Sequence, residues 1–239
     1  MPGPFVRFDA GPLPGGTLFD APLRLIRADT AQEVPLAFAA MERAVADGHW
    51  LAGYATYELG YLLDAALHGL LPEERALPLM LFGVFEGPRP APPLPAPKAA
   101  LAPGQPDRPL PHAPKRKATV PNTPGPDAGL SAPEPLWSEK RYARAFDTVH
   151  DYIGAGDIYQ ANLTFPLSLR YSGTPLALLS RLSARQPVPH GALVDLGGPV
   201  ILSRSPELFF ALNADGTLTT RPMKGTAPRG SDPASDDAL

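Results

Sequence analysis

Two spacings of apolar residues alternate along the chain before residue 88. Residues 22–28, PLRLIRA, alternate with a period of two, which predicts a strand. The next segment has helical spacing, with apolar residues at Val34, Phe38, Met41 and Val45, and Gly48 is its predicted stop. Residues 49–64 predict a strand that runs into a short helix, and residues 77–86 predict another strand. This mixture indicates an α/β fold.

The same two spacings return after residue 136. Ser138 is the predicted cap of a helix whose apolar residues are Tyr142, Phe146, Val149 and Ile153, and whose end is marked by Gly154 and Gly156. Residues 157–169, DIYQANLTFPLSL, alternate as a strand does, and the polar side chains of that face (Gln160, Asn162 and Thr164) would either face solvent or line a cleft. Thr174 and Pro175 predict the start of a further helix.

Two hairpins are predicted near the end of the chain. Residues 191–203 give two strands joined at Gly197 and Gly198, and residues 207–222 give two more that turn at 213–216. In an antiparallel pair, the start of the first strand lies beside the end of the second. We therefore expect Glu207 and Lys224 at one end of the sheet, either as an ion pair or as a functional pair.

Between these halves, proline dominates the composition. Sixteen of the 33 prolines fall between Pro88 and Pro135, where they remove backbone donors and bias the chain towards extended geometry. This stretch has no apolar periodicity, which predicts a linker or a disordered insertion. The predicted domains are therefore an N-terminal α/β region at 1–87, a linker at 88–136 and a C-terminal region at 137–239.

Composition excludes several classes of protein. The net charge of -3 and the absence of a basic block argue against nucleic acid or an anionic membrane as a partner. No apolar run reaches the roughly eighteen residues that a membrane span needs, and the first residues do not resemble a signal peptide. The absence of cysteine excludes disulfides, thiolate metal sites and a cysteine nucleophile. We expect a cytoplasmic protein.

Three stretches together resemble a known family. GDIYQANLT (156–164), SRSPELFF (203–210) and TRPMKGTAPRG (220–230) occur in this order in the chorismate-utilising enzymes, and residues 52–64 resemble the N-terminal region of that family. Within that family, the motifs resemble those of aminodeoxychorismate synthase component I. Lys224 is the distinguishing residue, because anthranilate synthase component I has alanine there. The resemblance implies layered antiparallel sheets with flanking helices.

The resemblance also implies residue roles. Lys224 would bond covalently to the substrate ring, and Glu207 would donate a proton. Gly225 and Thr226 would contact substrate, and Gly225 would let the backbone approach it closely. Arg221 and Arg229, on their charge, would attract a dianionic substrate.

The chemistry requires both an acid and a nucleophile. A ring hydroxyl is a poor leaving group unless it is protonated as it departs, which calls for a general acid. The nucleophile must be a neutral amine, yet an ordinary lysine is neutral in about one molecule in 2,500 at pH 7. Burial, a magnesium ion or a neighbouring arginine would raise that fraction.

The implied activity is synthesis of 4-amino-4-deoxychorismate, a precursor of 4-aminobenzoate and folate. It would use chorismate, magnesium and ammonia from a glutamine amidotransferase. The family continues past the equivalent of Leu239 into the segments that hold its acidic magnesium ligands, so we expect this chain to be an N-terminal part. The alternatives are an anthranilate synthase component I-like or other chorismate enzyme, and a non-catalytic truncated remnant.

Members of the family that bind tryptophan form one wall of its pocket at the position of residues 189–191. The serine that such members use has no clear counterpart among residues 5–16. Tryptophan binding is therefore not predicted.

Overall fold

The structure is a computed structural model that describes residues 3–95, 129–213 and 215–222. Its strands and α-helices, in chain order, are Phe5–Phe8 (β1), Thr17–Asp20 (β2), Arg24–Ala28 (β3), Val34–Ala46 (α1), Trp50–Ala55 (β4), Met80–Phe85 (β5), Arg89–Pro90 (β6), Gly129–Leu130 (β7), Glu134–Pro135 (β8), Glu139–Ala155 (α2), Leu167–Ser168 (β9), Tyr171–Ser172 (β10), Pro175–Arg185 (α3), His190–Asp195 (β11), Ile201–Ser205 (β12), Leu208–Leu212 (β13) and Leu218–Arg221 (β14). Short 3₁₀ segments occupy Ala31–Glu33, Tyr57–Leu62 and Ala65–Leu70.

The largest sheet joins strands from both sides of the proline-rich stretch. Its order is β12-β11-β1-β2-β6, and all of its neighbours are antiparallel. At its centre, Val6 of β1 faces Val194 of β11 on one side and Phe19 of β2 on the other. The predicted mixed α/β fold with layered antiparallel sheets is confirmed.

In a second sheet, in the order β3-β5-β4, the central strand β5 is buried on both faces. Met80 and Val84 of β5 pack into a cluster with residues of α1, whereas Leu81 and Phe85 pack with Val6 and other residues of the large sheet. Successive strand residues point to opposite faces, so a strand covered on both sides is a continuous apolar run. Residues 79–85 have that pattern.

The buried face of helix α1 matches the predicted one in part, since Val34 is buried and Met41 packs against the same core cluster. The buried residues are Val34, Ala37 and Ala44, whereas Phe38 is 38% exposed and Val45 is 59% exposed. The small alanine side chains allow the helix to lie close to the sheet, which leaves the larger residues at the edge of the contact. The sequence placed the helix correctly, and of its four predicted apolar residues only Phe38 and Val45 lie largely exposed.

The packing of Phe85 between the two sheets gives a test of the fold. Phe85 is 1% exposed, and its ring centroid lies 5.4 Å from that of Phe19. We expect Phe85→Ala to lower the free energy of unfolding by about 3–5 kcal/mol, because it removes buried contacts and leaves a cavity. Urea unfolding measures this. The matched control is Phe209→Ala, since Phe209 is 85% exposed and its removal should cost less than about 0.5 kcal/mol. Equal losses would contradict this packing.

The chain folds into two units, one of residues 1–93 and 185–239, the other of residues 94–184. The predicted domain boundaries after residues 87 and 136 remain predictions. In the second unit, helix α2 begins with its predicted cap, since the Ser138 hydroxyl accepts a hydrogen bond from the Arg141 amide at 3.3 Å. It ends at Gly156, whose φ of 82° is left-handed. The predicted apolar residues of α2 are not buried, and Phe146 is 52% exposed.

The prediction of a strand over residues 157–169 is mostly wrong. Of residues 157–169, Leu167–Ser168 pair with Glu134–Pro135, and residues 157–166 form no strand. A strand needs backbone hydrogen bonds to a neighbour, which an alternating pattern does not supply, and Pro166 has no amide to donate. The polar side chains of this segment therefore do not share a strand face.

Both ends of the predicted linker, 88–136, are more regular than expected. Arg89–Pro90 pair with β2 at the edge of the large sheet, and Gly129–Leu130 pair with β10. Proline is tolerated at a sheet edge because its missing amide breaks no central ladder. Residues 96–128 lie outside the described residues.

Candidate functional site

The hairpin of β13 and β14 is confirmed in its predicted place. Leu208 faces Arg221, and the turn is closed by hydrogen bonds from the Asn213 amide to the Thr217 carbonyl and from the Gly216 amide to the Asn213 carbonyl, both at 2.9 Å. Gly216 has a φ of 84°, which glycine adopts without strain. Glu207 precedes the first strand and Pro222 follows the second, so both lie at the open end of the hairpin.

Four of the six predicted site residues lie outside the described residues. These are Lys224, Gly225, Thr226 and Arg229. Their roles, and the approach of the Lys224 amine to the Glu207 carboxyl, remain predictions. Arg221 is exposed and lies opposite Leu208, three residues before Lys224.

A short turn sets the backbone at Glu207. The Ser205 hydroxyl accepts a hydrogen bond from the Glu207 amide at 3.3 Å and donates one to the Glu207 carbonyl at 2.9 Å. Serine hydroxyls stabilise such turns by replacing a backbone partner. The Glu207 side chain is exposed at the end of this turn.

The first unit also contains a pocket of about 560 Å³ that sequence reasoning missed. Glu58 and His190 supply ionisable groups, and Glu207 and Arg221 are not among its lining residues. The pocket combines residues from β1, β4, β11 and β12, which lie far apart in sequence. The one indication of it in the sequence was that residues 189–191 stand where tryptophan-binding members of the family form a pocket wall.

Tyr54, one of the lining residues, has a buried hydroxyl. Its oxygen has no hydrogen-bond partner among the described residues. Burial raises the pKa of Tyr54, because the charged phenolate is disfavoured away from water, and the nearby Arg27 guanidinium partly opposes this. Arg27 itself forms two hydrogen bonds of 2.6 Å to Asp29, which lower the pKa of that carboxyl. The hydroxyl is therefore a neutral donor at ordinary pH.

Neither a metal cluster nor a membrane span is found in the described residues. No group of three or more histidine, aspartate or glutamate side chains is placed to hold a metal ion there. Within the same part of the chain, no helix is long and apolar enough to cross a membrane.

These observations describe a layered antiparallel α/β protein in which a serine-stabilised turn and a hairpin precede the sequence Lys224-Gly225. A family model described as chorismate binding enzyme matches residues 13–239. The chain therefore belongs to the chorismate-binding enzyme family.

The matching curated relatives include anthranilate synthases and aminodeoxychorismate synthases. The chain is 35% identical over 198 residues to anthranilate synthase component 1 of Thermus thermophilus, covering 79% of this chain and 42% of that protein. It is 35% identical over 99 residues to aminodeoxychorismate synthase component 1 of Klebsiella aerogenes, covering 41% of this chain and 22% of that protein. It is 36% identical over 98 residues to aminodeoxychorismate synthase of Streptomyces griseus, covering 41% of this chain and 14% of that protein. The chain thus spans less than half of each of these relatives.

Proposed function

We propose that this chain is part of the chorismate-binding subunit of 4-amino-4-deoxychorismate synthesis. The observation that carries the proposal is the hairpin register, in which Leu208 faces Arg221. This register brings Glu207 to the end of the hairpin from which the chain continues towards Lys224. It supports an acid and a nucleophile acting on one substrate.

In the proposed reaction, the Lys224 amine bonds to a ring carbon of chorismate. The ring hydroxyl leaves as water, and its proton comes from Glu207. Ammonia then displaces the lysine, so that chorismate and ammonia give 4-amino-4-deoxychorismate and water. The exposed Arg221 would attract the two substrate carboxylates by its charge.

Two further components belong to the proposal. The names of several relatives end in "component 1", which supports a partner subunit, here a glutamine amidotransferase that supplies ammonia. Magnesium would offset the substrate carboxylates. Its ligands would come from polypeptide beyond residue 239, since the relatives are longer than this chain.

Anthranilate synthesis is the second candidate function. The Thermus relative supports it, because that match extends over 79% of this chain. Lys224 favours aminodeoxychorismate synthesis, since the resemblance assigns alanine to this position in anthranilate synthases. The two reactions share chorismate and differ in product, which makes them separable.

The test is a product assay on a chimera. In this chimera, residues 1–239 are followed by the part of the Klebsiella relative that lies C-terminal to the equivalent of residue 239. With chorismate, magnesium and ammonia, we expect 4-amino-4-deoxychorismate, detected by liquid chromatography and mass spectrometry. Anthranilate as the main product would support the second candidate. A folded chimera that forms neither product would support a non-catalytic remnant and overturn the proposal.

The 239-residue chain by itself should form no product under the same conditions. In the proposal, the magnesium ligands come from polypeptide beyond residue 239, so this chain would lack the ion that offsets the two substrate carboxylates. The same chromatographic assay measures this. Turnover by the isolated chain would show that the additional polypeptide is dispensable.

A further inference from the structure

Asp9 and Arg204 form an ion pair that further hydrogen bonds connect to two other segments, at Gln186 and Gly191. Arg204 of β12 donates to Asp9 through Nη1 at 2.6 Å, and its Nη2 donates to the carbonyl of Gln186 at 2.7 Å. The Asp9 amide donates to the Gly191 carbonyl at 2.8 Å. The side chains of Arg204 and Asp9 are 15% and 18% exposed, so water screens this pair weakly.

Gly191 has no side chain, and the Arg204–Asp9 pair occupies the space beside β11 that a side chain would fill. A Cβ at this position would lie 2.1 Å from Oδ2 of Asp9 and 2.5 Å from Nη1 of Arg204. Both distances are shorter than a van der Waals contact, so any side chain here would push the two charged groups aside. The charged pair therefore packs directly against the backbone of β11.

Arginine has a specific geometric role here. Its planar fork reaches two acceptors in different segments, a carboxylate and a backbone carbonyl, in a fixed relative orientation. Lysine would keep the charge but presents a single nitrogen, so it would lose that orientation. The neighbouring Arg7 guanidinium lies 3.9 Å from the other Asp9 oxygen and donates to the Pro92 carbonyl, which adds a further positive charge around the same carboxylate.

Arg204 directly precedes the turn that sets Glu207. Ser205, the next residue, holds the Glu207 amide and carbonyl through its hydroxyl. We propose that Arg204, locked by Asp9 over Gly191, is the positioning residue that orients the Ser205–Glu207 turn for proton donation. The catalytic part of this inference rests on the proposed function, whereas the orienting part does not.

The orienting part is tested first in the 239-residue chain by hydrogen exchange. We expect Arg204→Lys to increase exchange in peptides covering 205–208 and to leave peptides covering 24–28 unchanged. Gly191→Ala should do the same while retaining both charged side chains, because its Cβ displaces the pair. The matched control is Gly198→Ala in the same hairpin, whose Cβ would meet only Leu81 at 4.0 Å, and it should resemble the wild type.

The catalytic part is tested in the chimera by steady-state kinetics. We expect Arg204→Lys to lower kcat by roughly 10- to 100-fold and to change KM less than about twofold, since a misplaced acid slows the chemical step more than binding. Unchanged exchange at 205–208 in both variants would overturn the proposal. Increased exchange with unchanged kcat would also overturn it. If exchange increases while the wild-type chimera forms no 4-amino-4-deoxychorismate, the proposed function fails and the orienting role stands.

Discussion

Replacing Lys224 with alanine in the chimera is expected to stop the formation of 4-amino-4-deoxychorismate. The proposed pathway passes through a bond between the lysine amine and the substrate ring, and alanine has no atom that can form it. Any remaining ammonia-dependent turnover should give anthranilate, because alanine is the residue that the resemblance assigns to anthranilate synthases. Chromatographic separation of the two products measures this shift.

Lys140→Ala is the matched control for that substitution. Lys140 lies exposed in helix α2. Its replacement also removes an amine, so this variant should keep the wild-type rate and product. Undiminished synthesis of 4-amino-4-deoxychorismate by the Lys224 variant would remove lysine from the mechanism and leave the resemblance without its distinguishing residue.

Replacing Glu207 with glutamine is expected to have the second large effect, a lower kcat. The amide keeps the size of the side chain but cannot give up a proton as a carboxylic acid does. Departure of the ring hydroxyl should slow by roughly 10²–10⁴-fold, the usual contribution of a general acid. We expect kcat to fall and KM to stay nearly constant, as measured by steady-state kinetics in the chimera.

The control for this variant is Glu134→Gln, at an exposed position of β8. It removes the same charge from the same residue type and should leave kcat unchanged. A Glu207→Gln variant with the wild-type kcat would assign proton donation to another group.

The elements predicted correctly from sequence depend on local chemistry. The hairpin turns near Gly197 and Gly216 and the cap at Ser138 are set by residues within a few positions of one another. Such signals need no knowledge of distant partners. The predicted end of the hairpin, and with it the place of Glu207, follows from the same local information.

The errors arose where distant segments decide the outcome. Residues 157–166 alternate but form no strand, because pairing requires a neighbour that the pattern does not specify. The buried face of α1 depends on how closely its alanines approach the sheet. The pocket near Tyr54 and His190, and the ion pair of Arg204 with Asp9, join residues far apart in sequence.

The central claim is that Lys224 forms a covalent bond with the substrate. The chimera is incubated with chorismate and magnesium without ammonia, so that no second nucleophile releases the intermediate, and is then digested and analysed by peptide mass spectrometry. The account predicts an added mass of chorismate less one water on the peptide that contains residue 224. An adduct on a different residue, or synthesis of 4-amino-4-deoxychorismate on adding ammonia with no adduct detected beforehand, would contradict it.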